Sequence, residues 1–216
     1  ENVILCNQAV TLDDQGHLVF NPKRYYPLVS DRVFDFYAYY PHCPTATNNT
    51  VLETGTLYYS GSKSYRALFK NIGYTDILWA KAETAEVLSA TNSEGNDYPV
   101  PKFNAAYARK VKELPVDQQE KYMPKFRFEH MLTALSFQIK AKDSNAANNL
   151  SDMEFKVLGM MVDSVHTSVK LHVASNKAQG DDLPEAGTIE PQEVSVTKSV
   201  SLMQVDNGVA SPIDPI

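Results

Sequence analysis

The stretch Phe126–Lys140, FRFEHMLTALSFQIK, changes the phase of its apolar residues halfway along, and this restricts the fold more than any other feature of the chain. Phe126, Phe128, His130 and Leu132 occupy even positions, whereas Leu135, Phe137, Ile139 and Ala141 occupy odd ones. Successive side chains of a strand point to opposite faces, so a straight strand would send the two sets in opposite directions. The segment therefore has to bend. Either one bulge residue or a short helical turn near Met131–Ala134 would return both halves to the same core.

Strand signals dominate elsewhere. Val33–Tyr40, VFDFYAYY, is dense in aromatic and β-branched residues, and Pro41 stops its ladder. Val165–Val173 alternates with period two: Val165, Thr167, Val169, Leu171 and Val173 face one way, His166, Ser168, Lys170 and His172 the other. That pattern predicts a half-buried antiparallel strand with both histidines in solvent. Val194, Val196, Val200 and Leu202 repeat it, and shorter candidates lie at Val3–Leu5, His17–Phe20, Thr56–Tyr59, Ile77–Ala80 and Phe155–Val162. Helical periodicity is confined to an insert at 103–122. There Phe103, Tyr107 and Val111 recur at i, i+4, i+8 among good helix formers, Leu114-Pro115 ends the helix, and a second turn covers Val116–Tyr122. The insert would lay one apolar stripe on the sheet or on a partner. Ser64–Lys70 is read as a further short helix. Polar loops fall at Pro44–Thr50, Thr91–Pro101, Asp143–Ser151 and Asn176–Gly187.

These elements predict an all-β chain with a small helical insert. Residues 1–205 form one domain, and Asp206–Ile216, with two prolines and no pattern, reads as a linker towards a further domain. A formal charge of -6 gives no electrostatic reason to expect nucleic acid or an anionic membrane as partner. No run reaches the roughly 18–20 apolar residues of a membrane span, and ENVILCNQAV lacks the regions of a signal peptide. The chain is accordingly either cytosolic or freed of a leader. Cys6 and Cys43 are too few for a zinc site and too far apart for a CxxC pair. They are either bridged in an oxidising compartment or two unlinked small hydrophobes.

Enzyme signatures are sparse. Gly55–Ser64, GTLYYSGSKS, spaces its glycines one residue too far for a phosphate loop and places Ser62 where a lysine is needed. His166 and His172 would lie roughly 20 Å apart along a strand, too far to share a metal. His130 falls in the even apolar phase and is read as a hydrogen-bonded core histidine, while His17 and His42 sit in turns. Asp13-Asp14 and Asp181-Asp182 belong to polar loops. Trp79 with Tyr37, Tyr39, Tyr58 and Tyr59 would serve either as core packing or as a platform for stacking sugars. No catalytic, metal or cofactor site is expected from this inventory.

Three segments resemble, in order, those of the fimbrillin family, the type V pilus subunits and related surface lipoproteins of Bacteroides-type bacteria: VFDFYAYYP at Val33–Pro41, DILWA at Asp76–Ala80, and FRFEHMLTAL at Phe126–Leu135. The resemblance spans roughly residues 25 to 175. It implies a transthyretin-like antiparallel β-sandwich, a second sandwich domain after the linker, and Trp79, Phe128, His130, Leu132 and Leu135 as core markers of the fold. It also implies a location at the cell surface or outer membrane or in a fimbrium, reached through the periplasm. Cys6 lacks the family's lipobox context, so a lipid anchor would lie outside this chain. Asp163-Ser164-Val165 fits the Asp-Ser/Thr-apolar pattern of O-glycosylation in such bacteria, which marks Ser164.

The function expected on this basis is a non-enzymatic pilus subunit or adhesin. Its partners would be other fimbrial subunits, joined by donor-strand-type β-addition, with host or bacterial surface ligands in addition. The alternative is a surface glycan-binding lipoprotein of a polysaccharide-uptake system. A hydrolase would need His130 beside an acid in an open cleft.

Overall fold

The structure, a computed structural model, describes residues 7–26, 32–43, 56–60, 64–70, 76–136, 138, 159–166, 168–175, 183–191, 198–206 and 209–211, the stretches 56–60, 198–206 and 209–211 as backbone alone. Its elements in chain order are β1 (Thr11–Leu12), β2 (Leu18–Val19), β3 (Tyr37–Tyr40), β4 (Thr56–Ser60), β5 (Ser64–Lys70), β6 (Leu78–Glu83), β7 (Ser89–Thr91) and β8 (Asp97–Pro99). Then come α1 (Ala105–Glu113), α2 (Val116–Gln119), a 3-10 turn at Glu120–Tyr122, β9 (Lys125–Phe126), β10 (Glu129–His130), β11 (Gly159–Val165), β12 (Ser168–Ser175), β13 (Thr188–Pro191), β14 (Lys198–Asp206) and β15 (Val209–Ser211). Among the described residues the fold is all-β with two short helices, and each strand pairing is antiparallel.

Two sheets meet in the main core. One has the order β10-β6-β3, with β9 also on β6, and the other has the order β13-β12-β5-β4. Ala67 and Phe69 of β5, Val169, Leu171 and Val173 of β12, Ile77 and Cys43 form one buried cluster, against which Tyr37, Tyr39, Trp79, Met131 and Leu132 pack. These residues follow the period-two rule: the odd positions of β5 and β12 turn inward together. A third sheet, β11-β14-β15, and the hairpins β1-β2 and β7-β8 complete the described pairing.

The insert builds its own small core. Tyr107 and Val111 of α1 join Leu88 and Val100 from the ends of the β7-β8 hairpin, with Leu114 and Tyr122 against them. Asn104 caps α1, its side chain accepting the Tyr107 N–H at 2.7 Å. Phe103 stacks edge-on against Phe36, whose carbonyl accepts the Ala82 N–H, so the insert lies on the face of the β3–β6 pair that is turned away from the main core.

Several expectations change. Ser64–Lys70 is a strand, because β4 and β12 flank it and satisfy its backbone on both sides, an arrangement that outweighs the helix propensity of Ala67 and Leu68. Val165–Val173 is not one strand: β11 ends at Val165 and pairs with β14, whereas β12 begins at Ser168 and pairs with β5 and β13. The break follows Ser164, whose φ of 58° lies in a register shift of β11. Val209–Ser211, expected within a linker, forms β15 against Gln204–Asp206 of β14. The expected strand Val3–Leu5, most of Phe155–Val162, and Val194 and Val196 lie outside the described residues.

Candidate functional site

The bend at Phe126–Lys140 has the position expected of it and a different consequence. β9 and β10 run along β6 in a single register, Phe126 opposite Ala82 and His130 opposite Leu78, and the Met131 N–H continues the ladder to the Ile77 carbonyl at 2.8 Å. Paired residues share a face, so Phe126, Phe128 and His130 stand with Leu78, Ala80 and Ala82, away from the main core, while Met131 enters it. The chain turns at Leu132, which packs against the core, and Thr133–Ser136 are exposed. The core reading therefore fails for three of the five marker residues. Phe128 is 41% exposed and His130 is solvated, because both stand on the outer face of this sheet, and Leu135, past the turn at Leu132, is 63% exposed. Phe137, Ile139 and Ala141 lie outside the described residues.

His130 does find a carboxylate. Its Nδ1 lies 2.7 Å from Asp76 Oδ2, with the two side chains 74% and 46% exposed. The hydrolase reading needed an acid beside His130; Asp76, 54 residues away, opens the DILWA segment, and no local pattern pairs it with His130. No third group joins the pair among the described contacts, so the pair resembles a surface ion pair more than a general-base assembly.

Trp79 packs, partly buried, against the main core. Its indole N–H donates to the Val173 carbonyl at 2.9 Å, joining β6 of one sheet to β12 of the other. Its ring centroid is 6.1 Å from that of Tyr37. Gly187, at φ +79°, lies so close that a Cβ there would stand 2.6 Å from the ring. These contacts commit part of the ring to packing against the main core. Tyr37 also carries Lys81 Nζ at 5.4 Å from its centroid, with Lys81 bridged to Asp35 at 3.0 Å. Tyr39 holds the Cys43 backbone N–H at 3.2 Å and donates to Asn7 Oδ1 at 2.5 Å, while Asn7 Nδ2 donates to the Cys43 carbonyl. The side chains of Tyr58 and Tyr59 lie outside the described structure.

Cys43 is a buried, free thiol, and burial pushes it up to about 11 against a weaker opposing hydrogen bond from Tyr39. It is an unreactive packing residue. Cys6, Asp181 and Asp182 lie outside the described residues. Asp13 organises the β1-β2 turn: its carboxylate accepts the His17 and Gln15 backbone N–H groups and meets His17 Nδ1 at 3.0 Å, and the His17 backbone hydrogen bond is the leading cause holding it below the usual carboxylate range. Ser164 is exposed beside the register shift of β11.

His172 departs furthest from expectation. It is fully buried, not solvated, and Glu190 Oε1 stands 3.4 Å from its Nε2 without the alignment of a hydrogen bond. Burial holds its imidazole below the ordinary value, helped by the positive charges of Arg66 and Lys170 and opposed by Glu190. Alternation along β12 placed His172 beside Lys170 correctly. The helical reading of Ser64–Lys70 concealed Arg66 as a neighbour.

Among the described residues no group of three or more His, Cys, Asp or Glu is placed to hold a metal ion. No described helix is long and apolar enough to cross a membrane. No protein-family model, no curated protein and no solved structure matches the chain.

Proposed function

We propose that the chain is a non-enzymatic pilus subunit or adhesin of the bacterial surface, built on a transthyretin-like antiparallel β-sandwich and assembling by β-strand addition. The observation that carries this reading is the arrangement of the three fimbrillin-like segments. Val33–Pro41, Asp76–Ala80 and Phe126–Leu135 are separated in sequence by 34 and 45 residues, yet they supply β3, β6 and β9-β10, which are adjacent in one sheet. Segments that resemble a family one by one are here a single structural unit, as a shared fold requires. Side chains of a second sheet close over that unit in the main core, which supports the sandwich.

Strand addition suits such a molecule. An added strand gains affinity from main-chain hydrogen bonds and specificity from pockets that take every second side chain. The packing of Trp79 against Gly187 and its hydrogen bond to Val173 speak against the glycan-platform alternative at that residue. The test is to mix the purified chain with peptides copying the terminal strands of subunits encoded beside it. Saturable binding and a concentration-dependent ladder of oligomers are expected; a chain that stays monomeric and binds none of the peptides would sink the proposal.

A further inference from the structure

Alternation gives the sheet of β3, β6, β9 and β10 two unlike faces. Tyr37, Tyr39, Trp79 and Met131 turn to the main core. On the outer face Tyr40, Leu78 and His130 lie in register, and Ala38, Ala80 and Phe128 form the next row. The insert covers one end of that face, where Phe103 packs edge-on against Phe36. The other end is open. Tyr40 is 56% exposed there, and Phe128, His130 and Asp76 are exposed as well.

One aromatic surface and three polar groups meet at this open end. Phe126 stacks on one side of the Phe128 ring, with centroids 6.4 Å apart and planes at 30°, and among the described residues no other ring touches Phe128. The side towards His130, the next residue of the row and roughly 7 Å along the ladder, is left without an aromatic partner. His130 Nδ1 meets Asp76 Oδ2 at 2.7 Å. Its Nε2, the second Asp76 oxygen and the Tyr40 hydroxyl have no hydrogen bond among the described residues. Two acceptors therefore stand beside Phe128, and Tyr40, which can donate or accept, lies two strand spacings from His130, roughly 10 Å. No lysine or arginine stands in either row. A phosphate or sulfate would meet the Asp76 carboxylate without a fixed cation to offset it. A cationic group would compete with His130 for that carboxylate. A neutral polyol suits the surface: the C–H face of a pyranose is drawn to the negative face of an aromatic ring, and its hydroxyls donate to the acceptors and accept from tyrosine.

We propose that this open end, formed by Tyr40, Asp76, Leu78, Phe128 and His130, binds a neutral sugar whose pyranose ring stacks on Phe128. The site does not rest on the pilus reading, because strand addition uses backbone groups at a sheet edge, whereas this site uses side chains on a sheet face. It also differs from a platform at Trp79, which stands on the core face of the same sheet. A shallow, solvated surface buries little of its ligand, so binding is weak, in the millimolar range.

The test is a titration of the intact chain, followed by backbone amide NMR, with maltotetraose, cellotetraose, mannotetraose and chitotetraose, and with a hyaluronan tetrasaccharide as the anionic comparison. Saturable shifts of the Leu78, Phe128 and His130 amides are expected with at least one neutral sugar. Phe128→Ala should weaken that binding about tenfold, and Phe128→Tyr should keep it. Because Phe128 is exposed, both variants should unfold at the wild-type urea midpoint. No saturable shift with any neutral sugar overturns the proposal, as does a preference for the hyaluronan fragment or binding that Phe128→Ala leaves unchanged. Shifts of the same amides with rising protein concentration and no sugar would assign the surface to a second copy of the chain and overturn it too.

Discussion

Gly187 and Trp79 hold one another in place. At φ +79°, Gly187 adopts a backbone that other residues reach only with strain, and the Trp79 ring fills the space of its missing side chain. Gly187→Ala is expected to cost roughly 2–4 kcal/mol, the sum of a left-handed penalty and overpacking, read as a lower midpoint in urea unfolding. Trp79→Ala should cost about 3–5 kcal/mol, whereas removal of an exposed sugar platform would leave the midpoint unchanged. Cys43 gives a second check on burial: with its thiol pushed up to about 11, alkylation at neutral pH, read by mass spectrometry of the Cys43 peptide, should run about a hundredfold slower than in the unfolded chain. At this scale apolar character was legible for Leu132, which packs against the core, although it gets there through the turn and not through the even phase. The placement of His130 was not legible, because period two fixes which residues share a face but not which face is inward. Phe126 and Phe128 suggested an inward even phase; the pairing of His130 with Leu78, on the face opposite Met131, reverses it.

The insert was the most legible element. Phe103, Tyr107 and Val111 at helical spacing, with Pro115 as a stop, anticipate α1, and the capping residue Asn104 stands directly before it. Asn104 is 2% exposed and accepts the Tyr107 N–H, so Asn104→Ala should cost about 1–2 kcal/mol and raise amide exchange across Ala105–Glu113. Exchange in β12 should change little, since α1 belongs to the separate cluster of Leu88, Val100, Tyr107 and Val111. β5 was the least legible. SYRALFK contains good helix formers and has no clear period, because both of its faces are buried: Ala67 and Phe69 on one side, Ser64 and Leu68 on the other. A strand covered on both faces loses the alternation by which half-buried strands are recognised. Its assignment depends on β4 and β12, partners that a local reading of the sequence does not weigh.

The main core joins chain segments far apart in sequence: Cys43 after β3, Phe69 of β5, Ile77 before β6 and Leu171 of β12 meet in one cluster. Such long-range assembly makes the two sheets interdependent, and a β-rich class was readable from strand signals even though the pairing of those strands was not. Leu171 tests the dependence. It is 0% exposed and lies between Ala67 of β5 and Ile189 of β13. Leu171→Ala removes buried methyl groups from a site whose neighbours are held by pairing on both sides, so collapse is limited and a cost of about 2–5 kcal/mol is expected. The single tryptophan of the chain, Trp79, stands on β6 of the other sheet and is tied to β12 through the Val173 carbonyl. If the sheets unfold as one unit, tryptophan emission and far-ultraviolet circular dichroism of Leu171→Ala will share a lowered urea midpoint, the signature of a two-state transition. Val111→Ala supplies the contrast, because Val111 belongs to the insert cluster. It should raise exchange in α1 while shifting tryptophan emission much less. A Leu171→Ala protein whose emission kept the wild-type midpoint while its circular dichroism moved would show that the two sheets fold separately.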